Sequence, residues 1–149
     1  GYEVDFLIEQ IKRVLGAGDP VSVVIVGAGN LGRALAYYGG FASGGFPIKG
    51  LVDSSSEIIG QEVAGITVEP FEELKDVVQK NSCTLGIIAT PAAAAQSVAD
   101  QLINAGIYSI LNFAPGLVTV PESVTLRKVD LATELHILAF HEQQRERNE

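Results

Sequence analysis

The chain contains no Met and no Trp, one Cys and only two His among its 149 residues. A lone cysteine, Cys83, excludes an internal disulfide. With so few histidines it also leaves no Cys/His set that would hold a structural metal. That usage fits a reducing, cytoplasmic setting. Cations are scarce too: 10 Lys and Arg stand against 18 Asp and Glu, a net charge of −8 with neutral His. Phosphate binding needs a basic patch, so these residues are poor electrostatic partners for nucleic acid or an anionic membrane. No apolar run approaches the ~20 residues of a membrane span. The opening GYEVDFLIEQ is acidic and amphipathic, unlike a signal peptide. A chain that starts Gly1-Tyr2 reads as a piece of something longer. It is also too short for a complete two-domain dehydrogenase.

What is present is apolar and rich in glycine: 47% hydrophobic residues and 16 Gly, enough to bury a core. Val4, Leu7, Ile8, Ile11, Val14 and Leu15 fall at helical spacing, and the stretch Gly16 to Pro20 ends that helix. Residues 21–26 (VSVVIV) form a β-branched run without polar alternation, as a strand buried on both faces requires. A glycine turn and a helix to about Tyr38 follow, ended by Gly39-Gly40. Further strands are expected at 46–53, 84–90, 108–112 and 124–129, with short extended pieces between 58 and 68. Helices are expected from Pro70 through Val78, from Thr90-Pro91 to Ala105 with Gly106 as terminator, and from Leu131 onward with Asp130 as cap. This alternation predicts a Rossmann-like, doubly wound α/β domain with a mostly parallel sheet.

Gly27-Ala28-Gly29-Asn30-Leu31-Gly32 follows a strand and opens a helix. In such a turn the first glycine permits the tight bend. The second lets a pyrophosphate approach the backbone, and the third lets helix and strand lie close. The helix N-terminus adds free N–H groups and partial positive charge. Asp53 stands about 20 residues on, at the end of the second strand, where a carboxylate accepts from ribose hydroxyls and repels a 2′-phosphate. Ser54, Ser55 and Ser56 follow without an adjacent cation, which favours NAD(H) over NADP(H). The alternative is the same turn serving coenzyme A or a mononucleotide. Two more strand ends border the expected crevice, at Thr90-Pro91 and Asn112-Phe113-Ala114-Pro115. Thr90 and Asn112 offer polar groups near the nicotinamide end. Thr90 also suits a helix cap, and Phe113 suits core packing.

Hydride transfer needs a proton donor or acceptor beside the ring. His136 and His141 sit on the last helix, Lys75 and Lys80 on a solvated face, Tyr37 and Tyr38 at the far end of a helix. Cys83 reads as a small core residue. A binding site without such machinery points to a sensor rather than an enzyme. The last helix is apolar nearly all round at Leu131, Leu135, Ile137, Leu138 and Phe140. It therefore needs cover from more than one surface, either the domain's own sheet or a second subunit.

Taken together, GAGNLGRALA (27–36), YGGF (38–41), IATP (88–91), ILNFAP (110–115) and KVDL (128–131) resemble the redox-sensing transcriptional repressors called Rex. The resemblance covers essentially the whole chain. Gly1-Tyr2-x-Val4 resembles the junction after that family's winged-helix domain, which binds the operator. The resemblance implies a homodimeric, cytoplasmic repressor, not an enzyme, that reads NADH against NAD+ and contacts DNA only through the winged helix. It implies three parts: a linker and first helix at 1–18, the NAD(H)-binding domain at 19–130, and a dimerisation helix with tail at 131–149. In the family this last helix exchanges between subunits. By position Asp130 matches an aspartate that pairs with a winged-helix arginine, and Tyr38 a tyrosine of the same network. Leu131 stands where some members carry a Phe stacked near the nicotinamide; a leucine there supplies apolar cover. The alternative readings are a fragment of a nicotinamide-dependent oxidoreductase and a coenzyme A-binding domain like that of succinyl-CoA ligases.

Overall fold

The computed structural model describes residues 3–8 and 19–148. A helix, α1, covers 3–8. The rest of the expected first helix, with its stop at Gly16 to Gly18, lies outside the described residues. Strand β1 (Val23–Val26) is buried along its whole length, as its unbroken apolar run requires. Then come α2 (Asn30–Tyr37), the short α3 (Gly39–Ser43) and β2 (Ile48–Asp53). The expected stop at Gly39-Gly40 is thus only a break. The chain leaves α2 at Tyr38 in an extended conformation and re-enters a helix at once.

Strands β3 (Glu62–Val63) and β4 (Ile66–Thr67) form a separate antiparallel hairpin. Its two central residues, Ala64 and Gly65, both have positive φ, which matches the twist of the strands. Glu69–Pro70 is an edge strand, β5, rather than the start of a helix. Proline is tolerated there because an edge leaves its missing N–H without a ladder partner to disappoint. A 3-10 turn, Phe71–Glu73, leads into α4 (Leu74–Lys80). Strand β6 (Leu85–Ile88) and helix α5 (Ala92–Asn104) follow. Gly106, at φ +95°, closes α5 while the Ile107 N–H donates back to the Leu102 carbonyl at 2.9 Å. Strands β7 (Ser109–Asn112) and β8 (Thr125–Lys128) are joined without a helix, so the expected strict alternation breaks there.

The six strands lie in the order β5-β2-β1-β6-β7-β8, and every neighbouring pair is parallel. The chain starts at the centre, winds outward to one edge, returns, and winds to the other. The crevice of such a sheet opens between the carboxyl ends of β1 and β6, where winding reverses. On one face Val24, Val26, Val52 and Ile88 pack against Leu74, Val77, Val98 and Leu102 of α4 and α5. On the other, Val23, Ile25 and Leu51 meet Leu35 and Ala36 of α2 and the β3–β4 hairpin.

That second face is incompletely covered. Near the amino ends of β2, β6, β7 and β8 an apolar hollow of about 280 Å³ opens between Ile8, Phe41, Phe46, Ile48, Leu85 and Leu111. The last helix, α6 (Leu131–Asn148), does not close it: residues 131–147 are all exposed, Leu135 at 66% and Leu138 at 64%. Among the described residues no helix is long and apolar enough to cross a membrane.

Candidate functional site

The glycine turn sits at the carboxyl end of β1, and its three glycines are held to their identity by different forces. Gly27 has φ +107°, and a Cβ there would lie 2.6 Å from the Ala89 carbonyl oxygen. Gly32 faces the Gly27 carbonyl, which any Cβ would strike. Both are required by the fold itself. Gly29 is different. It has negative φ, and nothing lies within 4 Å of where its Cβ would be. Neither backbone strain nor packing asks for glycine here, and its bare backbone is left open to close approach from the hollow.

Asp53 ends β2 beside this turn. Its Oδ2 accepts the Ala28 N–H at 2.7 Å, and its Oδ1 accepts the Ser55 N–H at 2.8 Å. The carboxylate therefore clamps the glycine turn to the loop after β2, and each oxygen keeps a lone pair able to accept a further hydrogen bond. A hollow of about 300 Å³ opens here, bringing together Gly27, Gly29, Asp53, Thr90 and Pro91 from the expected set. Val26 and Ala89 at the strand ends also line it, as do Ser54, Phe71, Ala94, Ser97 and Val98, which the sequence reading does not place there. A signal for the helical ones was available: 91, 94, 97 and 98 share one helix face, at i, i+3 and i+4 spacing. Phe71 was obscured because Pro70 reads as a helix start, when it ends an edge strand next to Asp53.

Thr90 does not cap α5. Pro91 is the N-cap, no side chain caps the helix, and Thr90 Oγ1 is a buried atom without a partner. The extended Pro91 backbone carries the chain past Thr90 before the helix begins. The hydroxyl is left on the hollow's wall, on the Asp53 side of the crevice.

Asn112, Phe113, Ala114 and Pro115 do not line this hollow. Asn112 is wholly buried; its Oδ1 accepts the Ala114 N–H at 2.9 Å, and its carbonyl accepts the Val129 N–H at 3.0 Å. Its Nδ2 has no partner. Phe113 packs against the α2-side core and Ala114 is buried in the α5-side core. Leu131 is exposed at the start of α6, where Asp130 Oδ1 caps the helix by accepting the Thr133 N–H at 3.0 Å. That bond, with help from Lys128, holds the Asp130 carboxyl below its ordinary value. Tyr38 stands edge-on to Phe41 with ring centroids 4.9 Å apart, at the amino ends of the strands. Asp130 follows the carboxyl end of β8, so within one chain the two lie at opposite ends of the sheet. His136 and His141 are exposed on α6. Cys83 is buried, and burial pushes its thiol up to about 11.

A parallel sheet wound in this order, with a glycine turn and an acidic residue at the ends of β1 and β2, defines a Rossmann-type nucleotide-binding domain. The model of the CoA binding domain family matches residues 19–116. The redox-sensing transcriptional repressor Rex of Streptomyces avermitilis is 54% identical over 145 residues, which is 97% of this chain and 58% of that protein. Rex of Pelotomaculum thermopropionicum is 44% identical, covering 98% of this chain and 68% of that protein. Among solved structures, the Rex-family repressor RSP in complex with β-NADH superposes with a TM-score of 0.83 at 34% identity, over 96% of this chain and 69% of that one. RSP in complex with β-NAD+ and operator DNA matches with the same score and identity. The chain belongs to the Rex family. It spans a little under three fifths of the length of its Streptomyces relatives.

Proposed function

We propose that residues 19–130 are the NADH/NAD+-reading domain of a redox-sensing repressor, with 1–18 as its linker and first helix. Residues 131–149 are then the dimerisation helix and tail. The observation that carries the reading is Gly29: a glycine that the fold does not need, facing a hollow closed by Asp53. In this reading the α2 N-terminus and Gly29 receive the pyrophosphate. Asp53 receives the adenosine ribose, and Phe71, Ala94 and Val98 form an apolar slot for the base. Thr90 then serves the adenosine half rather than the nicotinamide half. Ala28, Asn30, Leu31 and Pro91 shape the walls around these contacts, and the Asn112 to Pro115 turn lies outside them. The chain acts by binding and does no chemistry on the cofactor.

When bound, the cofactor supplies one chemical difference, a positive ring in NAD+ and a neutral ring in NADH. An apolar environment disfavours the charged ring. Leu131, exposed beside the carboxyl end of β8, gives this environment from the chain or its partner. NADH releases operator DNA only if it prefers the released arrangement, and a near-complete switch takes about 5 kcal/mol of difference. The DNA contact belongs to the part of the relatives outside this chain. The exposed apolar residues of α6 and, separately, the uncovered apolar sheet face support a homodimer in which α6 covers, or exchanges with, a second copy. Tyr38 and Asp130 then meet only across subunits.

Calorimetry tests the reading: NADH binds at least tenfold more tightly than NAD+, and equal affinities overturn it. Coenzyme A, suggested by the matching family model, is disfavoured because its 3′-phosphate would face the Asp53 carboxylate. Coenzyme A displacing NADH at equal concentration would reverse that assignment.

A further inference from the structure

Among the described residues two buried side-chain atoms lack a hydrogen-bond partner, Thr90 Oγ1 and Asn112 Nδ2. Native proteins pair such groups with protein atoms or with trapped water. The two atoms lie on the same face of the sheet. Side chains alternate along a strand: Ile110 and Ala114 belong to the α5-side core, Leu111 and Phe113 to the α2 side, so Asn112 faces α5. Ile88 likewise packs on the α5 side and Ala89 on the other, and Thr90 shares its hollow with Ala94 and Val98 of α5.

They also lie at the same level. Ile88 is opposite Asn112 in the parallel register, and the Phe113 N–H donates to the Ile88 carbonyl at 2.9 Å. Thr90 is two residues past Ile88. The Asn112 side chain reaches forward by the same amount, because its Oδ1 accepts the Ala114 N–H at 2.9 Å. The following turn closes on the start of α5: a Cβ on Gly116 would lie 4.0 Å from that of Ala92. The other attachment of Asn112 leads away from the hollow. Its carbonyl accepts the Val129 N–H at 3.0 Å, and the next residue, Asp130, caps α6.

We propose that Thr90 Oγ1 and Asn112 Nδ2 enclose a site for one ordered water molecule. Through it Asn112 acts as a positioning residue that joins the wall of the hollow to the start of α6. The Asn112 Nδ2 can only donate, so the water accepts from it and donates onward to Thr90 Oγ1. One wholly buried side chain then ties together Thr90, the turn after β7 and the end of β8. A ligand that orders Thr90 tightens Val129 and Asp130 by the same route. The water site stands on packing alone; only the identity of the ligand rests on the nucleotide reading.

The test uses the whole chain, Thr90→Val, which keeps the shape and removes the hydroxyl, and Thr90→Ser, which restores it. In the ligand-free chain the Asn112 side-chain NH2 gives a nuclear Overhauser cross-peak to long-lived water. Thr90→Val removes the cross-peak and Thr90→Ser keeps it. In Thr90→Val the Ala114 and Val129 N–H groups exchange with solvent about fivefold faster or more, as loss of one buried hydrogen bond implies. The Ser variant returns them to the original rate. The Ile107 N–H, bonded to Leu102 at the far end of α5, stays unchanged. Saturating AMP slows Val129 exchange by about fivefold, the low end of typical couplings between sites, in the unaltered chain and the Ser variant but not in Thr90→Val. Absence of the water cross-peak overturns the proposal and needs no variant to fold. So does Val129 exchange that ignores Thr90, or that changes only in step with Ile107. Failure of the unaltered chain to bind AMP would count against the nucleotide reading instead, and the ligand-free measurements would still decide the water site.

Discussion

The glycine turn and α6 are both built from residues that look out of place, and they resolve in opposite ways. In the turn, Gly27 and Gly32 are explained by the chain's own backbone, and only Gly29 faces outward. In α6, Leu131, Leu135, Ile137, Leu138 and Phe140 are exposed and find no cover among the described residues. The first region is complete without a partner and leaves open a hollow of small-ligand size. The second is incomplete and waits for a surface. Sensing needs both properties, because a ligand that changes only a finished site alters nothing elsewhere.

The contrast within the turn gives the largest expected effect. Gly27→Val costs roughly 3 kcal/mol or more, from left-handed backbone plus overpacking, and lowers the thermal midpoint strongly. Gly29→Val changes stability by less than about 1 kcal/mol and abolishes NADH binding. Equal destabilisation by both would erase the distinction between the two glycines. The contrast between regions is tested next. Leu135→Glu/Leu138→Glu converts the proposed dimer to monomer in sedimentation at micromolar concentration while the domain stays folded. An unchanged dimer would assign the interface elsewhere. Asp53→Ala weakens NADH by about 10- to 100-fold, as loss of a charge-assisted contact of ~1.5–3 kcal/mol implies. It also loosens the glycine turn, visible as faster exchange of the Ala28 amide.

The smallest effect lies at the junction of the regions. The Asp130 carboxyl is held below its ordinary value by capping α6. Its contribution is therefore present above the usual carboxylate range and lost as pH falls through the lowered folded value. Helical ellipticity should fall slightly on acidification, and Asp130→Ser, a neutral cap, should flatten that dependence. A slope unchanged by the substitution would place the titrating group elsewhere.

Much of this was legible because it is local. The VVIV run, the spacing of the glycines, Asp53 at a strand end, Gly106 as terminator and Asp130 as cap each express a backbone requirement within a few residues. What was misread depended on neighbours. Pro70 reads as a helix opener until the sheet makes it an edge. Thr90 reads as a cap until Pro91 displaces it. Asn112 reads as a crevice residue, yet it is buried tying Ala114 to the end of β7.

The sequence by itself determined the parallel sheet, the glycine turn, the acidic partner and an over-apolar last helix, since periodicity and φ requirements act along the chain. Only the tertiary structure decided which glycine the fold's own packing leaves unexplained and turns toward the hollow. It alone brought Phe71, Thr90 and Val98 to Asp53, and it alone left α6 off its own domain. Those outcomes depend on which distant atoms fill or fail to fill a given volume, and no spacing along a single chain encodes that.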